Sequence, residues 1–511
     1  MFRWKATAAL AVVAALALTG CAGGGESGGE SGSGGAHADR LTLISIAAPT
    51  SYDIGAGAEW GNRSEYFEAV FDTLLRQDSK GELQPNLATE WSYNDDKTVL
   101  TLTLRTDAKF TDGTPVDAKA VVASMERFRD GTSPQAGTMK GNQYAATDDH
   151  TVTITLPAPN PALLNSLSLA QGLVAAPSSF SDSDVATRPV GSGPYILDTS
   201  ATVTGTTYVY KANPDYWNKD AVKYDNLTVN VIDDTTAILN AIKAGEANGA
   251  KIADNTTISE VEGSGWSIAS NELDFQGLLL LDRAGTMNPA LGDVRVRQAI
   301  NMAFDREALL KSLQSGFGTV TEQVFPKSSV AYDPALDSTY AYDPAGAKKL
   351  LADAGYASGL TINMPSVPAF QTSFDLIKQQ LQDIGITVQY TESGTGNFIS
   401  DMLTPKFPAT WMALQQDPDW QLINFMIAPG ATFNPFKAED PKIDAFIKTI
   451  QFGSTDEATQ ALKDLNKYLV DQAWFAPFFR VQGSFATDAN TTVDFWPTNA
   501  YPSIFSFAPK N

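Results

Sequence analysis

Between Thr98 and Val388 the chain switches repeatedly between two hydrophobic periods, and this alternation constrains the fold more than any other feature. Thr98 to Arg105 alternates Thr or Arg with Val or Leu, the pattern of a half-buried strand. Asp112-Gly113 marks a turn, Thr114 reads as a helix N-cap with Pro115 at the first helical position, and Asp117 falls in the first turn. Val121, Ser124, Met125 and Phe128 then follow at helical spacing. Tyr224 to Ile232 reads as a strand, with Asp234 or Thr235 capping a helix through Ile238, Ala241 and Ile242 that stops at Gly245. Asp293 to Phe304 presents Val296, Ile300, Ala303 and Phe304 on one face and turns Arg295 and Arg297 elsewhere; Asp305 starts another helix. Asp343-Pro344 opens a helix ending at Gly355, and Phe374 to Ile384 stops at Gly385 before the strand-like Ile386-Thr387-Val388. Strands alternating with helices predict an α/β protein.

Composition removes several functions. The 511 residues carry 36 Lys+Arg against 58 Asp+Glu, a formal charge of −22, which disfavours nucleic acid and anionic lipid surfaces. One Cys allows neither an internal disulfide nor a Cys-rich metal site, and two His allow no three-His site, so no metal or cofactor is predicted. The phosphate-loop, nucleophile-elbow, zincin and Ser-x-x-Lys signatures are missing. The enzymatic alternative is a cell-envelope glycoside hydrolase with paired carboxylates, but no spacing singles out such a pair. His150, in Asp148-Asp149-His150-Thr151, reads as a turn residue.

The N-terminus specifies where the protein works. Arg3 and Lys5 precede an apolar run from Ala6 to Leu18, too short to span a bilayer and suited to a secretory signal over residues 1–20. Leu18-Thr19-Gly20-Cys21 resembles the bacterial lipoprotein signal, which makes Cys21 the expected lipid attachment point. The Gly/Ser/Glu-rich stretch that follows, within residues 21–38, reads as a flexible tether.

Several stretches resemble family 5 of the ABC importer receptors, the peptide/nickel class of solute-binding proteins. They are Phe71-Asp72-Thr73-Leu74-Leu75-Arg76, Gly81 to Ala88 with Trp91, Leu104-Arg105 to Pro115, and Pro189-Val190-Gly191-Ser192-Gly193-Pro194-Tyr195. Asn213-Pro214-Asp215-Tyr216-Trp217, Asp293 to Ile300 with Asp305-Arg306-Glu307, and Tyr342 to Tyr356 complete the set, in order along the chain. The resemblance implies a two-lobed type II periplasmic-binding-protein fold of the large class, with an extra subdomain, a ligand cleft between the lobes and two hinge crossings. It places lobe I at residues 39–270 plus 484–511, the extra subdomain at about 88–188, and lobe II at 271–483. Such a protein captures a small polar solute, peptide-like or an oligosaccharide, and passes it to permease subunits. It is no enzyme, is expected to be a monomer, and lies outside the cytoplasm on a lipid anchor; a signalling receptor on the same fold is the other alternative.

Family positions imply the pocket. Glu59, Trp60 and Gly61 fall on a contact loop ahead of a helix expected at Phe67 to Leu75. Thr410, Trp411, Met412, Ala413, Leu414 and Gln415 lie in a segment resembling the family's Trp-x-x-Asp-x-x-acid-Pro. In peptide-binding members that first acid holds the peptide ammonium, and here the position is Leu414, with Glu59 the nearest substitute by family position. Tyr144, Trp420 and Arg480 are further candidates. Tyr195 and Trp217 read as structural.

Overall fold

A 14-residue strand and a 13-residue strand, paired along almost their whole length, run through the middle of the molecule. The computed structural model describes residues 37–394, 397–415, 418–496 and 499–510; Cys21, the signal and most of the tether lie outside them. Among the described residues the largest sheet contains β1 (Ala38–Ser45), β2 (Tyr195–Leu197), β3 (Thr207–Ala212), β4 (Tyr224–Val231), β5 (Gly249–Ile252), β6 (Ser267–Leu280), β7 (Gly318–Val320), β8 (Ala409–Gln415) and β9 (Phe475–Thr487). Their order is β2-β3-β4-β1-β5-β9-β6-β8, with β7 also on β9. β1 runs parallel to β4 and β5, while β9 is antiparallel to β5, β6 and β7.

The buried apolar residues divide on either side of the β6–β9 pair. One core holds Phe275 to Leu281, the helices between Val294 and Gln314, and Phe475 to Phe479. A second holds β1, the helix Ser64–Val70, β3, β4 and Phe485, and a satellite joins Ile44, Ile238 and Ala486. β6 and β9 therefore deliver side chains to both sides, with half-buried or exposed residues 267–274 and 481–483 between. The second core continues into an antiparallel sheet of residues 88–93, 99–104, 151–155 and 143–146, covered by the helix Ala118–Arg129. This four-stranded sheet with its helix forms a subdomain on the second core.

Helix caps decide most boundaries. Asp234 accepts from the Ala237 N–H at 2.8 Å to start Thr235–Ala244, and Gly245 ends it at φ 68°. Asp293, Asp305 and Asp343 cap the helices that follow them. Thr114 does not cap its helix: its N–H and hydroxyl are taken by Asp112, the Val116 N–H bonds the Ala108 carbonyl, and Asp117 caps instead, accepting from Ala120. The expected Phe67–Leu75 helix is instead Ser64–Val70, and Leu75 already belongs to a strand. Arg297 is buried, contrary to the face reading, and donates to the carbonyls of Gln472 and Leu291.

The motifs that carry the family resemblance meet at one buried carboxylate. Asp72 accepts from the Ser192 hydroxyl at 2.9 Å, the Tyr216 hydroxyl at 3.0 Å and the Trp217 indole at 3.2 Å. Arg105 stacks on Trp217, and Asn213 holds the Gly193 carbonyl. A Cβ at Gly191 would stand 1.9 Å from the Val70 carbonyl oxygen, so only glycine lets the two segments approach. Burial raises Asp72 to about 6 against the pull of those donors.

The neighbouring helix Ser64–Val70 is wholly buried and carries two more acids. Burial pushes Glu65 up to about 8 despite the Ser45 hydroxyl, and Glu68 up to about 7 despite the Ile504 N–H. A carboxyl whose folded pKa lies above its unfolded value adds stability that is full below about pH 4.5 and is lost as pH rises through the folded value. The melting temperature should therefore fall from pH 5 to pH 8, and Glu65→Gln, which keeps the shape without the proton, should make that fall shallower. Melting curves of both proteins across this range check it; parallel slopes would remove Glu65 from the account.

Candidate ligand-binding cleft

Between the two cores lies a cavity of about 310 Å³. Pockets for small organic ligands start at roughly 300 Å³, so this one takes a small solute. From the side of the second core and its subdomain come Trp60, Lys80, Gln135 and Asn165; from the opposite side come Ser329, Gln415, Asp419 and Trp420. A chamber of about 20 Å³ behind Trp60 has room for little more than one water.

Local structure fixes each wall. Trp60 sits in the loop before Ser64–Val70, and its indole N–H reaches Asn499 Oδ1 at 3.4 Å. Lys80 lies in a turn that Asp78 closes by accepting the N–H groups of Lys80 and Glu82. Asp419 and Trp420 open the short helix Asp419–Leu422, whose continuation buries Ile423, Met426 and Ile427 in the first core. Across the rim, Gln421 Nε2 meets Ser166 Oγ at 3.4 Å, Gln451 Nε2 donates to the Pro159 carbonyl at 2.9 Å, and Lys97 Nζ donates to the Gly453 carbonyl at 2.7 Å.

Of the sequence candidates, Trp60, Gln415 and Trp420 line the cavity. Glu59 does not; it pairs with Arg63 at 2.6 Å. Gly61 is half-exposed beside Trp60. Tyr144 sits in the subdomain sheet with the Arg129 guanidinium 5.3 Å above its ring. Thr410, Trp411, Met412 and Leu414 are buried in the lobe and do not line the cavity, Trp411 against Phe370 and Phe374; Ala413 is exposed. Arg480 is fully buried and donates to Asp337 at 3.2 Å and towards the Phe325 carbonyl.

Sequence reasoning missed Lys80, Gln135 and Asp419. Asp419 stands directly after the Asp417-Pro418 motif and could have been read from it, whereas only tertiary structure brings Lys80 and Gln135 to this wall. Asp419 is the single carboxylate among the described lining residues. Burial raises the Asp419 carboxyl, opposed by the Ser329 hydroxyl. Among the described residues no cluster of three or more His, Cys, Asp and Glu could hold a metal, and no helix is long and apolar enough to cross a membrane. The walls offer aromatic faces, amides and one charge of each sign, which is equipment for binding.

A match to the family described as bacterial extracellular solute-binding proteins, family 5 (middle), spans residues 82–434, more than half of the chain. The chain belongs to this family. It is 26% identical over 458 residues to the glutathione-binding protein GsiB of Escherichia coli K12, covering 84% of this chain and 86% of that protein. Its fold is similar to HbpA2 from Haemophilus parasuis, with a TM-score of 0.83 at 22% identity, covering 93% of this chain and 100% of the other. It is also similar to the periplasmic binding protein DppA from Helicobacter pylori in complex with the peptide STSA, with a TM-score of 0.73 at 19% identity over 93% and 99% of the two chains. Family 5 solute-binding proteins are extracytoplasmic, bind peptides or similar small ligands, and work with ABC permeases; these relatives are solute-binding proteins and not enzymes.

The place of Arg480 is testable. Breaking a buried ion pair costs about 3–5 kcal/mol, so Arg480→Met should lower the denaturation midpoint accordingly and leave the solute affinity of the folded fraction unchanged. Unaltered stability with a tenfold loss of affinity would return Arg480 to the ligand.

Proposed function

We propose that this family 5 protein is a lipid-anchored receptor that captures a small polar organic solute, peptide-like or an oligosaccharide, by closing its lobes and delivers it to the permease of an ABC importer. The observation that carries this reading is the cavity of about 310 Å³ walled from opposite sides by residues of two separate cores. Lobe I is residues 39–270 plus 484–511 with the subdomain at about 88–188, and lobe II is 271–483. In support of those bounds, β6 and β9 change from one core to the other between Ile268 and Phe275 and between Phe479 and Phe485. The hinge is where these strands cross. A ligand touching both walls binds the closed arrangement better than the open one, and that difference drives closure.

Calorimetric titration with tri-alanine, maltotriose and reduced glutathione, followed by X-ray scattering of the bound and free protein, tests the binding step. A solute at 100 times its Kd should stabilise the protein by about 2.7 kcal/mol and populate a more closed form. Deletion of the gene should abolish uptake of that solute; intact uptake would favour a signalling receptor instead.

Cys21 is the proposed acylation site, and the tether after it spaces the receptor from the membrane. Cys21→Ser should leave the protein without lipid label, and cell fractionation should recover it unattached to the membrane. Persistence in the membrane fraction would show another anchor.

A further inference from the structure

Lys251, Gly483 and Asn271 lie side by side where three strands of the large sheet cross between the cores. β9 stands between β5 and β6, with Asn271 opposite Gly483 and Lys251 opposite Phe485 two residues further on. A Cβ on Gly483 would stand 3.2 Å from Asn271 Oδ1 and 3.3 Å from Lys251 Nζ, so the glycine leaves room for both side chains to converge over β9. Both hold the C-terminal segment by its main chain. Lys251 Nζ donates to the Ala500 carbonyl at 2.8 Å and lies 5.4 Å from the centre of the Phe495 ring. Asn271 Nδ2 donates to the carbonyls of Asn499 at 2.7 Å and Trp496 at 3.3 Å. Asn499 is 2% exposed, and its side chain turns to the cavity wall, where Oδ1 accepts from the Trp60 indole. Trp60, Trp496 and Asn499 also wall the chamber of about 20 Å³ behind the cavity, which leaves little slack between them.

We propose that Asn271 and Asn499 are positioning residues that couple the tilt of the Trp60 indole to the bend of the crossing strands, with Lys251 as the second fastening. The proposal rests on the receptor reading and names how contact with a solute reaches the hinge. A buried carbonyl stripped of its donor is costly. When β5, β6 and β9 bend, the carbonyls of Asn499 and Ala500 therefore travel with Asn271 and Lys251, and the Asn499 side chain carries the movement to Trp60. Such coupling is reciprocal: a solute pressing on Trp60 biases the bend by as much as the bend favours that solute. Trp60 lines the cavity, whereas Asn271, Asn499 and Lys251 do not, so their effect on binding passes through the indole.

The test uses the purified full-length protein carrying fluorotryptophan, free of solute and read by fluorine NMR, with the Trp60 resonance assigned from Trp60→Phe. Asn271→Ala should move that resonance by more than its linewidth, although Asn271 bonds the carbonyls of Asn499 and Trp496 and not the indole. Asn499→Ala keeps the carbonyl that Asn271 holds and removes the oxygen that holds Trp60. It should move the resonance too, and adding Asn271→Ala to it should move the resonance no further. Gly483→Ala crowds Asn271 and Lys251 without removing either; it should repeat this pattern, and it stands in should Asn271→Ala fold poorly. A merely structural role would lower the melting temperature of each variant and give no shift at Trp60, or the same shift with and without Asn499. Either of those results overturns the relay and leaves the receptor reading standing. Failure of tri-alanine, maltotriose and reduced glutathione to bind would count against the receptor reading, while the Trp60 shifts of the empty protein still decide the relay.

Discussion

The pairing of β6 with β9 is the constraint on which everything else depends. The ladder runs from Ser267 opposite Thr487 to Leu279 opposite Phe475, so both cores hang on one antiparallel ribbon. Its Leu279/Phe475 end is apolar and packed, its other end starts at exposed Ser267, and its middle carries Asn271, Glu272, Gln482 and Ser484. Register shifts at Glu272/Asp274 and Gln276/Gly277 leave extra residues that bend and twist the strand locally. Glu272, at the crossing, is held by Lys327 and Thr319, and Asn271 donates to the Asn499 carbonyl, whose side chain accepts from Trp60. The cavity wall and the crossing are thus joined through a single asparagine.

Most of the frame was legible because its signals are local. Asp before a helix and Gly after it act within a few residues, and Asp234, Asp293, Asp305 and Asp343 all cap as their spacing predicts. The failures come where a competing partner sits just outside the pattern. Asp112 outbids the helix for Thr114, and the Gln472 carbonyl draws Arg297 into the interior. The family motifs proved more informative about fold than about ligand. Phe71-Asp72, Gly191-Ser192-Gly193 and Tyr216-Trp217 converge on one buried carboxylate. Arg297, Gln298, Asn301 and Arg306 tie the carbonyls of Gln472, Asp471, Phe475 and Pro477 at the approach to β9.

The binding wall was harder to read because it is assembled from pieces distant in sequence. Trp60, Gln415 and Trp420 could be placed by position in the family pattern. Gln135 follows the subdomain helix, Lys80 sits on a hairpin turn, and neither has a pattern that announces a cavity. Arg480 shows the converse difficulty: a cation near a crossing strand reads as a ligand contact, but in three dimensions Asp337 claims it. Asp337 itself also accepts from Thr321, Gln323 and Tyr332, so burial is outweighed and its carboxyl stays below the usual range.

The bonds across the rim have a consequence for unloading. Gln421, Gln451 and Lys97 meet a hydroxyl and two main-chain carbonyls, all groups that water serves nearly as well, and Lys97 is exposed. Exchanging such partners for water changes the free energy little. Under the proposed closure, these three described contacts would therefore add little, and the hold would come chiefly from the bound solute. On that proposal, release of the solute would itself undo the closed state, without these rim contacts having to be broken by a separate step.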